Sequence, residues 1–445
     1  MRHHRMRHLP FTPIEFDEKP KTSGIELFSA SKDVNRWVFD FMKTYLYALH
    51  HGTLANGEIK VNTFHAITST SRPIISRPRI SFQIENGLAK IDDSYAYAQA
   101  NYAGADYSIN LLRMITDRGI IHEIVVMGTS LEAKRPDALR DLIIKESINN
   151  SMYRDKILRV LEAPGIQDDE DPGFLEVEIA KNFEETTLND IFLPDSVTRE
   201  LRKFIECASR YEELKFSLRY MLSGPPGTAK TQIIRAIAKA CEGKATIILA
   251  SGGDARLNML FSFANIFSPA ILCIDDIDLV VGERAHMYNK NVLGTFLQKL
   301  DGFVQNNVFV LATTNDKGMV DMAASRPGRF DNVIDVGALE PRNYLDLVRR
   351  CTKDSGIITL FEDGDVLALL KDKEIVGAFL ANLVKQAVVS KMTNGKEGLS
   401  KKELLGMINR TYRGFYQAPG KVSVGFSTQR YEEGVDEASD PHEPF

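Results

Sequence analysis

The first third of the chain combines helical periods with strand-like alternation. Apolar residues recur at helical spacing over residues 34–50, which predicts an amphipathic helix with one buried face. A second helix is predicted from Pro136, because proline and the acidic Asp137 are favoured in a first helical turn. Between them, the strand-like runs are residues 58–67, 77–91 and 120–130. The pattern therefore predicts an N-terminal α+β domain over residues 1–165.

The pattern changes after a short segment rich in proline, glycine and acidic residues. Residues 164–173 read PGIQDDEDPG, a composition typical of an exposed linker. Beyond it, short apolar runs alternate with helical periods, which predicts βα units on a parallel sheet. The predicted divisions after the first domain are an acidic linker at 166–182, a large α/β subdomain at 183–339, a helical subdomain at 340–416 and a disordered acidic tail at 417–445.

The segment SGPPGTAKT, Ser223 to Thr231, is close to the phosphate-binding pattern G-x-x-x-x-G-K-[ST]. It lies between a short apolar run and a helical period, the strand–loop–helix context that such a loop requires. Lys230 is predicted to reach the β- and γ-phosphates and Thr231 to hold Mg²⁺. Ala229 stands where the pattern has glycine, a change that is tolerated at negative φ and costly at positive φ. The predicted nucleotide-binding residues here are Gly224, Pro225, Pro226, Gly227, Thr228, Ala229, Lys230, Thr231 and Gln232.

Two buried strands downstream end in polar residues. The run AILCI is followed by Asp275, Asp276 and Asp278, and clustered carboxylates at a buried strand end need partners. Asp275 is predicted to bind Mg²⁺ and Asp276 to polarise an attacking water. A solvated acidic loop is the alternative. The run VFVLATT ends at Asn315, whose amide can lie between that water and the γ-phosphate.

A Pro-Gly turn, SRPGRFD, follows and presents Arg326 and Arg329. Arginines presented in this way could reach a γ-phosphate bound by a neighbouring subunit, a contribution of roughly 10³–10⁵ in rate in other enzymes.

The order of the phosphate loop, IDDID, ATTN and RPGRFD resembles an AAA ATPase of the clade with the second region of homology. The match extends over residues 183–391. The resemblance implies a P-loop AAA+ fold, a parallel sheet with a helical lid, and a hexameric ring whose Arg326 and Arg329 act on the neighbour's site. It also implies adenine contacts at Asp190–Ile191 and at Gly377–Ala378.

Three departures from the family pattern narrow the resemblance. Ala229 replaces a glycine, and Asp276 replaces a glutamate and sets its carboxylate back by one methylene. The first pore loop is short, SGGDARL at residues 251–257, and has no aromatic residue. The short loop, Asp276 and the mixed strand–helix block ahead of residues 188–194 together resemble the branch of the mitochondrial inner-membrane translocase that exports a folded iron–sulfur subunit, with its soluble prokaryotic relatives.

Composition changes this picture little. Of 445 residues, 44% are hydrophobic and 26% charged, with a formal net charge of −5, which argues against wholesale wrapping of nucleic acid. The four cysteines are widely spaced and predict reduced thiols in a cytoplasmic protein. No apolar stretch reaches the ~20 residues of a transmembrane helix.

Three functions stay open on the sequence. The first is a ring ATPase, with ATP and Mg²⁺ as cofactors, that remodels or moves a protein client bound by the N-terminal domain. The second is a nucleic-acid motor or loader, for which Arg284, His286 and Lys290 in a candidate second pore loop are suggestive. The third is a nucleotide-dependent scaffold that hydrolyses slowly because of Ala229 and Asp276.

Overall fold

The structure is a computed structural model. It describes residues 28–67, 75–76, 80–83, 89–91, 95–116, 119–161, 175, 177–181, 183, 185–251, 257–278, 308–315, 329–393 and 398–416. Arg326, the acidic tail, residues 252–256 of the first candidate pore loop and the whole second candidate loop lie outside the described residues.

The chain divides into two compact units, residues 1–337 and 338–445. The strands of the first unit are β1 Ser29–Val34, β2 Ile59–Ile67, β3 Ile75–Ser76, β4 Ile80–Gln83, β5 Ala89–Ile91, β6 Tyr95–Tyr102, β7 Ala105–Thr116, β8 Gly119–Gly128, β9 Ile157–Val160, β10 Val177–Ile179, β11 Arg219–Ser223, β12 Thr246–Ser251, β13 Ala270–Asp275, β14 Val308–Thr314 and β15 Asn332–Asp335. Its helices are α1 Arg36–His50, α2 Pro136–Asn149, α3 Asp195–Ser209, α4 Tyr211–Leu214, α5 Lys230–Cys241 and α6 Leu257–Ala264, with a 3₁₀ turn at Leu188–Asp190.

An antiparallel sheet forms the N-terminal part of the first unit, in the order β1-β8-β7-β6-β2-β3. Helix α1 begins after Asn35, whose side-chain oxygen accepts a hydrogen bond from the Val38 amide at 2.9 Å, a normal N-cap. Alternate strand residues turn towards α1 and α2 and form one core, in which Ile109, Ile124 and Val126 are fully buried.

A seven-stranded sheet follows, in the order β10-β9-β12-β13-β14-β11-β15. All neighbouring strands from β9 to β15 are parallel, and β10 pairs antiparallel with β9 at the edge. Strand β9 lies within the range assigned to the N-terminal domain on the sequence, yet it pairs with β12. The predicted βα units and their parallel sheet are thus present, and the sheet starts before residue 183.

The central strands are buried on both faces, which explains their continuous apolar runs. In β13, Leu272 and Ile274 pack on one face, whereas Ile271 and Cys273 pack on the other. Helices α3 and α5 cover the second of these faces. Helix α6 covers the first, and it does so together with a helix from the N-terminal part of the chain.

That helix is α1, which has two buried faces. Phe39 packs in the N-terminal core, with its ring centroid 4.9 Å from that of His122. Trp37 and Phe41 point the other way, and their ring centroids lie 5.1 Å from Phe263 and 5.7 Å from Phe267 respectively. The N-terminal sheet and the parallel sheet therefore share a helix between their cores.

The second unit is helical. Its helices are α7 Tyr344–Cys351, α8 Ser355–Phe361, α9 Gly364–Asp372, α10 Gly377–Thr393 and α11 Lys401–Tyr416, with a 3₁₀ turn at Pro341–Asn343. Phe379 lies at the centre of an aromatic cluster with Tyr412, Phe415 and Tyr416. The Tyr416 hydroxyl accepts a hydrogen bond from the Val376 amide at 3.2 Å, just ahead of α10.

The predicted fold class is confirmed: a P-loop type α/β sheet with a helical subdomain, preceded by an α+β part. Among the described helices, none has the length and hydropathy needed to cross a membrane.

The shared helix predicts that the two sheets unfold together. Phe39→Ala and Phe41→Ala should each destabilise by about 3–5 kcal/mol, because each removes a buried ring. Both should lower the urea midpoint reported by the fluorescence of Trp37, the single tryptophan of the chain. Phe216→Ala is the control, since Phe216 is 48% exposed. A midpoint that Phe39→Ala leaves unchanged would show that the N-terminal sheet unfolds separately.

Candidate nucleotide site

The site lies where three parallel strands end at one edge of the seven-stranded sheet. Ser223 at the end of β11 is in register with Thr314 of β14, and Ile274 of β13 with Ala312. The segments that follow β11, β13 and β14 therefore emerge side by side. This brings together the phosphate loop, the acidic cluster and Asn315, as the sequence predicts.

The loop from Gly224 to Ala229 turns tightly against its own sheet. A Cβ atom added at Gly224 would lie 2.2 Å from the carbonyl oxygen of Val336, so only glycine fits there. Gly227 has a φ of 87°. The Thr228 hydroxyl donates a hydrogen bond to the Pro225 carbonyl at 3.0 Å and closes the turn.

Ala229 adopts the left-handed conformation, with φ 73° and ψ 21°. This is the case in which alanine is costly, because its Cβ approaches the backbone; the cost is about 1–2 kcal/mol. The residue stands immediately before α5, at the N-cap position. The loop thus keeps the conformation for which glycine is preferred, although the sequence has a methyl group there.

Lys230 is 6% exposed and lies within the loop. Its ammonium group donates hydrogen bonds to the carbonyls of Gly224 at 2.8 Å and Pro225 at 3.1 Å, and to Asn315 Oδ1 at 2.7 Å. Burial lowers the pKa of Lys230, while the nearby carboxylates of Asp276, Asp275 and Asp278 oppose that shift.

Asp275 is held from two sides by hydroxyl groups. Thr231 Oγ1 donates a hydrogen bond to Asp275 Oδ2 at 2.7 Å, and Thr313 Oγ1 donates one to Asp275 Oδ1 at 2.6 Å. Thr231 and Asp275, the two predicted metal ligands, are therefore in direct contact. Hydroxyl and carboxylate oxygens are the ligands that Mg²⁺ prefers.

Asp276 faces the same space from a left-handed backbone conformation, with φ 50°. The Asn315 side-chain amide donates a hydrogen bond to Asp276 Oδ1 at 2.9 Å, and the Asn315 backbone amide donates one to Asp278 Oδ1 at 3.2 Å. Burial raises the pKa of Asp276, and the carboxylates of Asp275 and Asp278 raise it further, whereas Asn315 and Lys230 lower it.

The structure also describes Asp190, Ile191 and Gln232, three of the other residues predicted to bind the nucleotide. The carboxylate of Asp190 accepts hydrogen bonds from the Thr187 amide at 2.9 Å and hydroxyl at 2.7 Å, so it caps its own turn. Ile191 packs against the apolar cluster that includes Ile233 of α5. Gln232 is exposed on α5. Adenine contacts at Asp190 and Ile191 stay a prediction.

The remaining predicted residues within the described structure are Gly377, Ala378 and Arg329. Gly377 and Ala378 begin α10 of the second unit, where Ala378 is exposed. Arg329 is 6% exposed and buried within the first unit. The roles of Gly377–Ala378 in base binding and of Arg329 in a neighbouring site stay predictions.

The arrangement fits a magnesium nucleotide. Three carboxylates and one ammonium group lie within it, an imbalance of two negative charges that a divalent cation would match. Lys230 and the loop amides would hold the phosphates, and Thr231 with Asp275 would hold the metal. Within the described residues, no group of three or more histidine, cysteine or acidic side chains is arranged to hold a metal ion.

Thr313 is the residue at this site that the sequence analysis missed. It is fully buried in β14, whose preceding residues from Val308 to Ala312 are all apolar. A hydroxyl group inside such a run needs a hydrogen-bond partner, and this signal could have identified it.

Comparisons with known proteins agree with this geometry. Residues 220–338 match the family model described as "ATPase family associated with various cellular activities (AAA)". The chain is 33% identical over 233 residues to the mitochondrial inner membrane i-AAA protease supercomplex subunit YME1 of Saccharomyces cerevisiae, covering 48% of this chain and 30% of that protein. It is 31% identical over 268 residues to the ATP-dependent zinc metalloprotease FtsH 2 of Salinibacter ruber, covering 55% and 37%.

A third similar protein is the ATP-dependent zinc metalloprotease FtsH of Thermus thermophilus, 30% identical over 249 residues, covering 52% of this chain and 38% of that protein. The chain thus spans 30% to 38% of the length of these three relatives. The H-E-x-x-H motif of zinc metalloproteases does not occur in the given sequence.

The strain at Ala229 predicts a stabilising substitution. Ala229→Gly should relieve about 1–2 kcal/mol, partly offset by about 0.4–1 kcal/mol of entropy gained by the unfolded chain. The net gain of roughly 1 kcal/mol should raise the unfolding midpoint by about 2–4 °C in calorimetry. Ala103→Gly is the matched control, because Ala103 has a φ of 51° in a remote hairpin turn. Only the change at 229 should alter nucleotide affinity. An equal change in nucleotide affinity in both variants would contradict a local role of Ala229 in binding.

The hydrogen bond between Asn315 and Asp276 predicts a shift in pH dependence. Asn315 lowers the pKa of Asp276, so Asn315→Leu should raise that pKa further. As the predicted base, Asp276 must be deprotonated to act, so the acid limb of kcat/KM should move to higher pH. Asn332→Leu is the control. The Asn332 side-chain amide donates a 3.4 Å hydrogen bond to Glu200, which is not part of the acidic cluster. A uniform loss of rate with an unmoved acid limb would contradict this role.

Proposed function

We propose that the chain hydrolyses ATP with Mg²⁺ and uses the energy of hydrolysis to remodel or move a protein client. The match of residues 220–338 to the AAA ATPase family model supports the ATPase activity. The observation that carries the proposal is the continuous set of hydrogen bonds from Lys230 through Asn315 to Asp276, beside the contact of Thr231 with Asp275. Similarity to proteins named ATP-dependent proteases supports a protein client.

Each residue has a distinct task in this proposal. Lys230 exchanges its contacts with two backbone carbonyls for the phosphates, and Asn315 orients the water against Asp276. Asp276 accepts the proton from that water, which its raised pKa favours. The Mg²⁺ ion would supply charge stabilisation to the phosphates, and Thr231 and Asp275 would hold it.

The proposed assembly is a homo-hexameric ring in the cytoplasm. In a ring, Arg326 and Arg329 would serve the site of the neighbouring subunit, and Gly377–Ala378 would contact the base. The resemblance of the motifs to the AAA family supports this arrangement.

The proposed client-binding part is the N-terminal α+β region. Its sheet has Met114 and Met127 at 38% and 41% exposure, and flexible methionines suit varied protein surfaces. Its packing against the ATPase core through Trp37 and Phe41 supports a mechanical link between client and site. The first candidate pore loop, which lacks an aromatic residue, supports a branch that moves folded clients.

Two departures from the family pattern favour a second function, a nucleotide-dependent switch with slow turnover. They are the methyl group of Ala229, held at a φ of 73°, and the short Asp276 side chain. A turnover below about 10⁻³ s⁻¹, similar to an unstimulated GTPase, would favour the switch.

The first experiment uses Asp276→Asn as a trap. Losing the base should reduce turnover about 10²–10⁴-fold and leave ATP affinity intact, because Asp276 is hydrogen-bonded to Thr313 and Asn315 and is not a proposed phosphate ligand. Lys230→Ala is the control that should lose ATP binding. Both variants, purified from the native cell with ATP and Mg²⁺, would be analysed by mass spectrometry and by nuclease-sensitive absorbance.

The outcomes separate the candidates. A recurrent protein that co-elutes with Asp276→Asn, leaves when ATP is removed and is absent from Lys230→Ala would support the remodelling ATPase. Nuclease-sensitive nucleic acid without a protein partner would favour a nucleic-acid motor. Normal ATP affinity in Lys230→Ala would refute the assignment of the site.

A further inference from the structure

A buried hydroxyl group joins the two carboxylates of the site. Thr313 is fully buried, and its Oγ1 donates to Asp275 Oδ1 at 2.6 Å while accepting the backbone N–H of Asp276 at 2.8 Å. A threonine hydroxyl has a single hydrogen, so the donor and acceptor directions are both fixed by these contacts. The same oxygen therefore sets the side chain of one carboxylate and the backbone of the next.

The two threonine hydroxyl groups that donate hydrogen bonds to Asp275 lie in different surroundings. Thr231 lies exposed at the start of α5, on the side of the phosphate loop, and is itself a predicted metal ligand. Thr313 lies inside the sheet and faces Asp275 from β14. If Thr231 held a metal ion, Thr313 would still orient the Asp275 carboxylate.

The bond to the Asp276 amide matters because that backbone is strained. Asp276 has a φ of 50°, which a residue with a side chain adopts only at a cost. The amide hydrogen bond from Asp276 to Thr313 offsets part of that cost and fixes the direction in which the side chain leaves the backbone. Asn315 then holds the carboxylate itself at 2.9 Å.

We propose that Thr313 is a positioning residue, which aims Asp275 at the metal ion and Asp276 at the attacking water. This inference rests on the proposed nucleotide hydrolysis and adds a residue that acts through Asp275 and Asp276. Groups that orient a metal ligand commonly contribute 10–100-fold to metal affinity or activity.

The test compares Thr313→Val with Thr313→Ser. Valine keeps the shape and removes the hydroxyl, whereas serine keeps the hydroxyl. Thr246→Val is the matched control. Thr246 is also fully buried, and its hydroxyl accepts a hydrogen bond from the Asp155 amide at 2.9 Å. It is the first residue of β12, whereas the site lies where the parallel strands end. It shares the loss of a buried hydroxyl–amide bond but lies away from the site.

Affinity for a fluorescent ATP analogue would be measured in Mg²⁺ and in EDTA, and turnover against Mg²⁺ concentration. In Thr313→Val, we expect the gain in affinity that Mg²⁺ provides to fall about 10-fold or more, with unchanged affinity in EDTA and a higher Mg²⁺ requirement for turnover. Thr313→Ser should restore both, and Thr246→Val should leave both unchanged.

Two results would overturn the inference while the proposed function stands. One is a Thr313→Val protein with the Mg²⁺ dependence of the unsubstituted chain. The other is an equal loss of affinity in Mg²⁺ and EDTA, which would indicate a general packing defect. If the unsubstituted chain bound no nucleotide in either buffer, the proposed function would fail first and the inference with it.

Discussion

The arrangement of the site depends on the register of β11, β13 and β14. Because these strands are parallel and in register, their carboxyl ends fall at one edge, with Ser223 level with Thr314 and Ile274 with Ala312. A one-residue slip would turn every side chain to the other face of the sheet. Both faces are buried by apolar residues, so a slip would disrupt two cores at once, and the register that builds the cores also assembles the site.

Collecting carboxylates at a buried edge creates an electrostatic problem that the loop partly solves. Asp275, Asp276 and Asp278 repel one another, and this repulsion adds to the burial that raises the pKa of Asp276. The ammonium group of Lys230 lies among backbone carbonyls and Asn315, where burial lowers its pKa. The ammonium group of Lys230 and the carboxylates therefore stabilise each other's charged form, and a divalent cation would balance the remaining negative charge. The residues proposed to bind a nucleotide therefore also balance part of one another's charge.

Much of this could be predicted because local patterns determine it. The apolar runs that end in Asp275 and Asn315 require strands buried on both faces, and the loop before α5 follows from its glycines and Lys230. The conformation of Ala229 could not be predicted, since φ depends on the close contact of the loop with the sheet. The pairing of β9 with β12 and the contact of Trp37 with Phe263 are long-range, so no local pattern indicates them.

These long-range contacts change how the N-terminal region relates to the site. Phe263 and Phe267 touch rings of α1 on one side and belong to the same core as Leu272 and Ile274 of β13, which leads directly to Asp275. Protein cores are close-packed, so β13 and α6 cannot shift without a corresponding movement of α1. Helix α1 in turn packs on the N-terminal sheet through Phe39. The N-terminal sheet is thus joined through packed side chains to β13, the strand that ends at Asp275. A flexible linker could not provide such a connection.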